Sequence, residues 1–288
     1  MDKHSMSDSN LISFLSDEFP RLISAALASP VSREALMRHM PLLVAEYDRY
    51  LNWNNIDINT NGERWFASKV APRSKCIVDV GANTGEWTQM CLSLNQHVNI
   101  CCFEANPATA RLLASRFQAA NNVRVFPFGL GEQDTVLDFH DHGPGSGLSS
   151  FVSRERSIGL SAQRTIQVPC KRIIDIPELA RRDVIDLIKI DTEGFEMPIL
   201  VSMRPWLAAR KVRLIQFEYG GTWIDAREYL VDAFVLLREH GYKVGRLMPD
   251  SVAWMERFDH RLHETFKYSN FVACSSPSDV TTYQLGRT

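Results

Sequence analysis

The stretch VDVGANTG, residues 78–85, decides the fold of this chain. It begins as a strand that ends in an acid, Asp79, and continues through a turn with two glycines, Gly81 and Gly85. Glycine allows the tight turn that joins a strand to a helix, and the start of that helix offers unpaired N–H groups to a ligand. The stretch therefore predicts an α/β protein with a ligand site beside this turn.

Short apolar runs on both sides of the turn extend this alternation of strand and helix. The strand candidates are CIVDV (76–80), NICCFE (99–104), VRVFPFG (123–129), VIDLIKID (184–191) and VRLIQFEY (212–219). Runs that are apolar on both faces need helices on both sides of the sheet. Asn106 and Pro107 supply an N-cap and a first-turn proline for one helix, and Gly241 ends another. We therefore predict a doubly wound, mostly parallel α/β sheet.

Two further strand pairs interrupt the strict alternation. TVLDFHD (135–141) and TIQVPCKRI (165–173) flank a glycine-rich loop, which we expect to move over the active site. YKVGRLM (242–248) and NFVACS (270–275) have no clear helix between them, so we expect an antiparallel pair at the edge of the sheet.

The first 70 residues have a different, helical pattern. Apolar residues recur there at helical spacings, for example Leu11, Phe14 and Leu15. We interpret residues 1–70 as a helical N-terminal appendage and residues 71–288 as the α/β domain. The appendage carries no chemical motif, and it suits a packing or dimerising cap of a homo-oligomer, or a lid over the substrate.

Composition argues against several classes of function. The net charge of −2 gives no electrostatic case for nucleic acid or an anionic membrane, and no run of about 18 apolar residues could form a membrane span. The six cysteines show no CxxC spacing, which disfavours a zinc site and favours a reducing compartment. The polar N-terminal stretch lacks the apolar region of a signal peptide. We therefore expect a cytoplasmic protein.

The glycine turn favours a nucleoside over a dinucleotide. Asn83 stands where the GxGxxG fingerprint needs its second glycine. Glu104 ends the next strand, 19 residues after Gly85, where a carboxylate can accept hydrogen bonds from the ribose hydroxyls. Asp79 suits a cationic amino-acid end, such as the methionyl ammonium of S-adenosylmethionine, better than a pyrophosphate. The alternative is that Asp79 only caps the turn and Glu104 is a solvated strand end.

Five motifs follow one another along the chain in an order that is typical of a known family: VDVGANTGEWT, FEANP, FGLGE, IKIDTEGFE and QFEY. Over about residues 78–242 the chain resembles the FkbM-type family of S-adenosylmethionine-dependent methyltransferases, which have the class I, Rossmann-like fold. The resemblance implies a sheet of seven strands, the last one antiparallel. It also implies a set of cofactor-binding residues around the methionyl group, the ribose and the adenine: Asp79, Gly81, Ala82, Asn83, Gly85, Glu104, Gly129 and Leu130.

Carboxylates cluster where the fourth and fifth strands end. Asp191 and Glu193 follow the fourth strand, and Glu218 ends the fifth, at the edge where ligands of open α/β sheets bind. We predict that these three are catalytic, because methyl transfer to an alcohol requires alignment of the acceptor and removal of its proton. Asp191 could instead contact the cofactor, and Glu193 could only cap a turn. Glu196 fits the start of the next helix.

Several weaker sequence signals allow more than one interpretation. Asp191 and Glu193 could hold a divalent cation, and DTE resembles the metal-binding motif of some glycosyltransferases. His140 and His142 could chelate a metal. The run 154–182 carries seven Lys or Arg against three acids, which could face an anionic acceptor such as a phosphorylated glycan. Trp223 could stack on a sugar or lie in the core.

The predicted function is that of an S-adenosylmethionine-dependent O-methyltransferase. The acceptor would be a hydroxyl of a sugar-containing or natural-product molecule, either a small molecule or a glycan, and this choice of hydroxyl comes from the family resemblance. Two alternatives are a metal-dependent glycosyltransferase or other nucleotide-sugar enzyme, and a non-catalytic module with the same fold.

Overall fold

A computed structural model describes residues 18–276 together with Asp279, Tyr283 and Leu285. The chain divides into two compact units, residues 1–51 and residues 52–288. The boundary predicted at residue 70 therefore falls inside the second unit. Leu11, Phe14 and Leu15 lie outside the described residues.

The described part of the first unit, residues 18–51, contains two helices, α1 (Phe19–Ala28) and α2 (Pro30–Tyr50). Ser29 separates them, and its hydroxyl accepts a hydrogen bond from the backbone N–H of Ser32 as the N-cap of α2. Neither helix contains a buried residue. The predicted N-terminal helices are thus present, but they form no core of their own.

The second unit contains the remaining helices and all the strands. The helices are α3 (Glu63–Val70), α4 (Glu86–Leu94), α5 (Pro107–Arg116), α6 (Glu155–Ile158), α7 (Pro177–Ala180), α8 (Glu196–Ser202), α9 (Arg204–Ala208), α10 (Thr222–Ala226), α11 (Leu230–Glu239) and α12 (His260–His263). Short 3₁₀ turns lie at Ala71–Arg73 and Ile173–Asp175. The strands are β1 (Cys76–Val80), β2 (Asn99–Phe103), β3 (Val123–Phe126), β4 (Gly129–Gly131), β5 (Thr135–Asp141), β6 (Arg164–Arg172), β7 (Ile185–Ile190), β8 (Val212–Tyr219), β9 (Lys243–Met248), β10 (Ser251–Met255) and β11 (Ser269–Cys274).

The main sheet has the order β10-β9-β11-β8-β7-β1-β2-β3. Its five strands from β8 to β3 are parallel, and β11 is antiparallel to both β8 and β9. The doubly wound, mostly parallel fold class is confirmed. The sheet has one strand more than expected, because residues 249–250 form a tight turn that pairs β10 with β9. The β9–β11 pair is antiparallel as predicted, but β10 and not this pair forms the edge.

A second, smaller sheet has the order β4-β6-β5. The predicted pairing of β5 with β6 is confirmed, and β4 adds a parallel strand on the other side of β6. The loop between β5 and β6 carries the glycine-rich segment. Both ends of that loop are therefore fixed by strands of the small sheet.

Local signals in the sequence explain how the elements begin and end. The Asn106 side chain accepts hydrogen bonds from the N–H groups of Ala108 and Thr109 at the start of α5. Gly241 has a φ of +77° just after α11, a conformation that glycine adopts without strain. Every residue of β1 and β7 is buried, as a sheet covered on both faces requires. In the part of the chain described here, no helix is both long and apolar enough to cross a membrane.

Candidate active site

Neighbouring strands place polar side chains in two rows at the carboxyl end of the sheet. In the first row Asp79 on β1 is in register with Lys189 on β7, and Lys189 with Gln216 on β8. Two residues further along, the chain carries Asp191 after β7 and Glu218 on β8. Residues two apart in a strand point to the same face of the sheet. Asp191 and Glu218 therefore form the second row, on the same face as Lys189 and Gln216 and nearer the carboxyl end of the strands.

Lys189 is the cation at the centre of this arrangement. Lys189 is only 4% exposed, and its Nζ lies 2.7 Å from Oδ2 of Asp191. Burial alone would lower the pKa of Lys189, but the carboxylates of Asp191, Asp79 and Glu63 raise it above the ordinary value. Sequence reasoning missed Lys189. The sequence feature that could have identified Lys189 is a lysine in an otherwise apolar strand, two residues before an acid.

Asp191, Glu193 and Glu218 come together as predicted, with oxygen atoms that all lie within 4.8 Å of one another. Burial opposes ionisation of Asp191, but Lys189 and a hydrogen bond from Glu218 hold the pKa of Asp191 below its usual value. Burial and the charges of Glu193 and Asp191 raise the pKa of Glu218 well above its usual value. The two pKa values are thus shifted in opposite directions, which favours the ionised form of Asp191 and the protonated form of Glu218.

Glu193 lies in the turn after β7, in a left-handed conformation with a φ of +58°. Its carboxylate forms an ion pair with the buried guanidinium of Arg154, and its carbonyl oxygen accepts a hydrogen bond from Ser150. Burial and the charge of Asp191 raise the pKa of Glu193 to about 8, against the opposite effect of Arg154. The loop between β5 and β6 is therefore fastened to this turn.

Glu196 has the helix-start position expected for it. It is the first residue of α8 and is fully buried. Its carboxylate accepts hydrogen bonds from the Thr192 N–H at 2.8 Å, the Thr192 hydroxyl at 2.9 Å and the Gly194 N–H at 3.0 Å. Glu196 therefore stabilises the turn that carries Glu193.

The glycine turn after β1 brings the backbone close to Asp191. Gly81 has a φ of +77°, and a Cβ there would overlap the carbonyl oxygen of Asp191. The N–H groups of Gly81 and Ala82 both donate to the Phe103 carbonyl, which fixes the turn against β2. A Cβ at Gly85 would overlap the ring of Phe117, the residue that directly follows α5. Only glycine fits either position.

Glu104 lies beside this turn and is buried. Its Oε2 accepts from the Asn83 N–H at 2.9 Å and its Oε1 from the Asn106 N–H at 2.8 Å. Burial raises the pKa of Glu104 to about 7, although both N–H groups favour the charged form. Each oxygen keeps a lone pair for a further donor.

A first cleft opens above the turn, with about 720 Å³ of empty space that is partly open to solvent. Its walls combine apolar and aromatic residues with polar ones. They include Val80, Gly81, Asn83, Phe103, Glu104, Ala105, Phe128, Gly129, Leu130, Phe139, Ser146, Gly147, Ser149, Phe151, Asp191, Thr192, Glu193 and Phe195. Gly129 and Leu130 thus lie with Glu104 in one cleft, and the glycine-rich loop borders it.

A second, more polar cleft has about 740 Å³ of empty space. It is lined by Ile56, Ile58, Glu63, Asp79, Gly81, Ala82, Asn83, Thr84, Glu86, Trp87, Gly145, Lys189, Asp191 and Tyr268. The two clefts share Gly81, Asn83 and Asp191. Within the described residues, the buried Oδ1 atoms of Asp79 and Asn83 have no hydrogen-bond partner. Asp79 lines the second cleft, and Asn83 lies at the junction of the two clefts.

The weaker candidates lie elsewhere. Asp141, between the two histidines, is buried and accepts from Asn106 at 2.7 Å and Arg164 at 2.6 Å. The described part of the chain forms no metal-binding group at His140 and His142. Trp223 is 1% exposed and belongs to the core. Arg154 is the one member of the basic run that contacts the predicted catalytic carboxylates among the described side-chain contacts.

A family model of the Methyltransferase FkbM domain matches residues 79–244, more than half of the chain. No curated protein matches the sequence significantly. Several solved structures are similar in fold. A methyltransferase FkbM from Methylobacillus flagellatus KT is 16% identical with a TM-score of 0.44, and the match covers 69% of this chain and 43% of that one.

For two other similar structures, the match covers a larger share of the other protein's chain. Precorrin-6y C5,15-methyltransferase from Geobacter metallireducens GS-15 is 13% identical with a TM-score of 0.40, over 73% of this chain and 86% of that one. Fibrillarin from Aeropyrum pernix, in complex with natively bound S-adenosyl-L-methionine, is 9% identical with a TM-score of 0.38, over 79% and 74%. The family assignment rests on the matched residues 79–244 and not on these low scores.

Proposed function

This chain belongs to the FkbM methyltransferase family, and from that premise we propose that it is an S-adenosylmethionine-dependent O-methyltransferase. The acceptor would be a hydroxyl of a sugar-containing or natural-product molecule. The observation that carries this proposal is the position of Asp191. Asp191 lines both the first cleft, which includes Glu104, and the second, more polar cleft, and its pKa is held below its usual value by Lys189.

The residues present fit S-adenosylmethionine. The aromatic wall of the first cleft, with Gly129 and Leu130, suits an adenine, and Glu104 would accept hydrogen bonds from the ribose hydroxyls. Asp79 has a buried oxygen without a described partner, which would accept from the methionyl ammonium. Gly81 lets the backbone approach the ligand, since a side chain there would overlap Asp191.

The proposed chemistry assigns separate tasks to the carboxylates. The cofactor supplies its methyl group as a sulfonium. As the acceptor oxygen bonds to that carbon, its proton becomes strongly acidic, so an ionised carboxylate of low basicity can receive it. Asp191 would take this proton, and Glu218 would hold Asp191 in place by donating to it. Glu193 would orient the acceptor, with its carboxylate fixed by Arg154.

This proposal includes no divalent cation. Lys189 already pairs with Asp191, and Arg154 pairs with Glu193. Two of the three clustered carboxylates thus have a cationic partner within the protein. A bound metal would have to displace both, or compete with them for the same oxygens.

Calorimetric titration with S-adenosylmethionine and S-adenosylhomocysteine tests the cofactor assignment. We expect saturable binding of both, with one site per chain. Titration with a nucleotide sugar in the presence of Mn²⁺ provides the comparison, because a glycosyltransferase would bind that ligand instead. Protein that binds neither S-adenosyl compound would contradict the proposal.

A further inference from the structure

The two clefts are built from different parts of the chain. Every residue that lines the first cleft lies between Val80 and Phe195, within the range matched by the family model. The second cleft also uses Ile56, Ile58, Glu63 and Tyr268, which all lie outside residues 79–244. A feature that family members share should lie in the matched range, whereas features that differ between members should lie outside it. The first cleft therefore suits the adenosyl part of the shared cofactor, whose methionyl end would reach Asp79 in the second cleft. The four lining residues outside the matched range suit a variable acceptor.

The segment 52–63 forms a fixed wall of the second cleft. Two hydrogen bonds join Asn54 to Tyr268. The Asn54 N–H donates to the Tyr268 carbonyl at 2.8 Å, and the Tyr268 N–H donates to the Asn54 side-chain Oδ1 at 3.0 Å. The Asn52 amide donates to the Asn61 carbonyl at 2.7 Å and to the Leu247 carbonyl at 3.2 Å. Segment 52–63 is thus held to Tyr268 through Asn54 and to β9 through Asn52.

A chain of buried hydrogen bonds supports the polar groups of this cleft. Gln216 Nε2 donates to Oε2 of Glu63 at 2.9 Å and to Oδ1 of Asn270 at 3.1 Å. The Asn270 amide in turn donates to the Tyr268 hydroxyl at 3.3 Å. Glu63 and Tyr268 are therefore held in defined positions, as selective recognition of hydroxyl groups requires.

The charges of the second cleft oppose an anionic ligand. Four of the described lining residues carry carboxylates, namely Glu63, Asp79, Glu86 and Asp191, and one carries a positive charge, Lys189. Lys189 is already paired with Asp191. Among the described lining residues, neither cleft includes a Lys or Arg of the basic run 154–182. Asp79 would pair with the cofactor, and Lys189 is paired with Asp191. Glu63 and Glu86 would therefore oppose a phosphate, whereas sugar hydroxyls can donate to them and to Asp191.

We propose that the second cleft binds the acceptor and that this acceptor is an uncharged polyhydroxylated molecule, such as a sugar unit without phosphate. This inference rests on the proposed methyltransferase function and adds the location and charge class of the substrate. Segment 52–63 and Tyr268 are then the parts of the chain that determine acceptor specificity.

Two variants of the cleft and one matched control test this inference. Ile56→Trp adds bulk at a lining side chain that is 80% exposed, so the fold should tolerate it, and Tyr268→Ala removes the aromatic wall. Ile158→Trp is the control, because Ile158 is 67% exposed and lines neither cleft. For each protein, calorimetry gives the Kd for S-adenosylhomocysteine. A second assay measures the rate at which labelled S-adenosylmethionine methylates small molecules of a cell extract.

We expect the Kd to stay unchanged in all three variants. The rate of label transfer should fall at least about tenfold in Ile56→Trp and Tyr268→Ala and should not change in Ile158→Trp. The labelled product should pass through an anion-exchange column at neutral pH.

Three results would overturn the inference. Loss of S-adenosylhomocysteine affinity in Ile56→Trp or Tyr268→Ala would assign the cleft to the cofactor, and unchanged transfer in both would place the acceptor elsewhere. Retention of the labelled product on the anion exchanger would show an anionic acceptor. Wild-type protein that binds no S-adenosylhomocysteine or transfers no label would instead overturn the proposed function, and this inference with it.

Discussion

Lys189 and Asp191 lie two residues apart at the end of β7, with 2.7 Å between the Lys189 Nζ and the Asp191 Oδ2. The same ammonium group attracts Asp79 on β1 and Glu63 on α3. One buried cation therefore organises carboxylates from three elements around the junction of the two clefts. Lys189 thus offsets the charge of Asp191, while burial and the repulsion among the other acids raise the pKa values of Glu193 and Glu218.

Replacing Lys189 with methionine should destabilise the protein strongly. The substitution keeps most of the side-chain volume but leaves buried carboxylates without their cation, a change that typically costs about 3–5 kcal/mol. Urea unfolding at pH 7 measures the free energy of unfolding. Lys69→Met on α3 is the control, since Lys69 is partly exposed and has no described ion pair. Equal stability of the two variants would show that Lys189 does not carry this role.

Replacing Gly81 with alanine should disrupt the site through a steric clash. The control is Gly159→Ala, because Gly159 also has a positive φ, +64°, but a Cβ there meets nothing within 4 Å. Gly159→Ala should cost only the left-handed strain of roughly 1–2 kcal/mol. Gly81→Ala should cost clearly more and abolish binding of S-adenosylhomocysteine, as thermal unfolding and calorimetry would show. Similar losses in both variants would mean that the contact with Asp191 is unimportant.

Binding of S-adenosylhomocysteine should strengthen as the pH rises from 6 to 8. The pKa of Glu104 is about 7, and ribose hydroxyls donate to its ionised form. Below that pH the ligand has to displace a proton, which weakens affinity by up to about tenfold per pH unit. Calorimetry across this range gives the slope.

The Glu104→Gln variant is the control for this pH dependence. It should bind more weakly than the wild type at pH 8 and show a shallower slope. A flat pH profile in the wild-type protein would be inconsistent with a role for Glu104 at the ribose.

Removal of divalent cations should leave methyl transfer unchanged. Lys189 and Arg154 already pair with Asp191 and Glu193, so the carboxylate cluster does not need a metal for charge balance. The test compares the rate of label transfer before and after dialysis against EDTA. Activity that disappears with EDTA and returns with Mg²⁺ or Mn²⁺ would assign a metal to Asp191, Glu193 and Glu218.

The sequence predicted the sheet well because its signals are local. The glycine turn after β1, the N-cap at Asn106 and the apolar strands each depend on a few neighbouring residues. The carboxylates at the ends of β7 and β8 were predictable for the same reason, since parallel strands end at one edge. The eighth strand, β10, was missed because its pairing with β9 lies in a segment that no motif covers.

The second cleft was not predictable from the same signals. Its residues Glu63, Lys189 and Tyr268 are far apart in sequence and meet only in the folded chain. The segment 52–63 was assigned to the helical appendage, although its asparagines and Gly62 favour turns. Asn52 and Asn54 have φ values of +58° and +56°, which a helix excludes. The contact of Arg154 with Glu193 was also not predictable, because the two residues are 39 positions apart in the sequence.

Methyl transfer by the Asp191→Asn variant tests the central claim most directly. Wild type and variant are compared with labelled S-adenosylmethionine and a cell extract, and calorimetry with S-adenosylhomocysteine shows that the variant still folds and binds. If Asp191 receives the proton of the acceptor hydroxyl, the variant should bind S-adenosylhomocysteine but transfer methyl groups at least about 100-fold more slowly. A variant that transfers methyl groups at the wild-type rate would contradict the account.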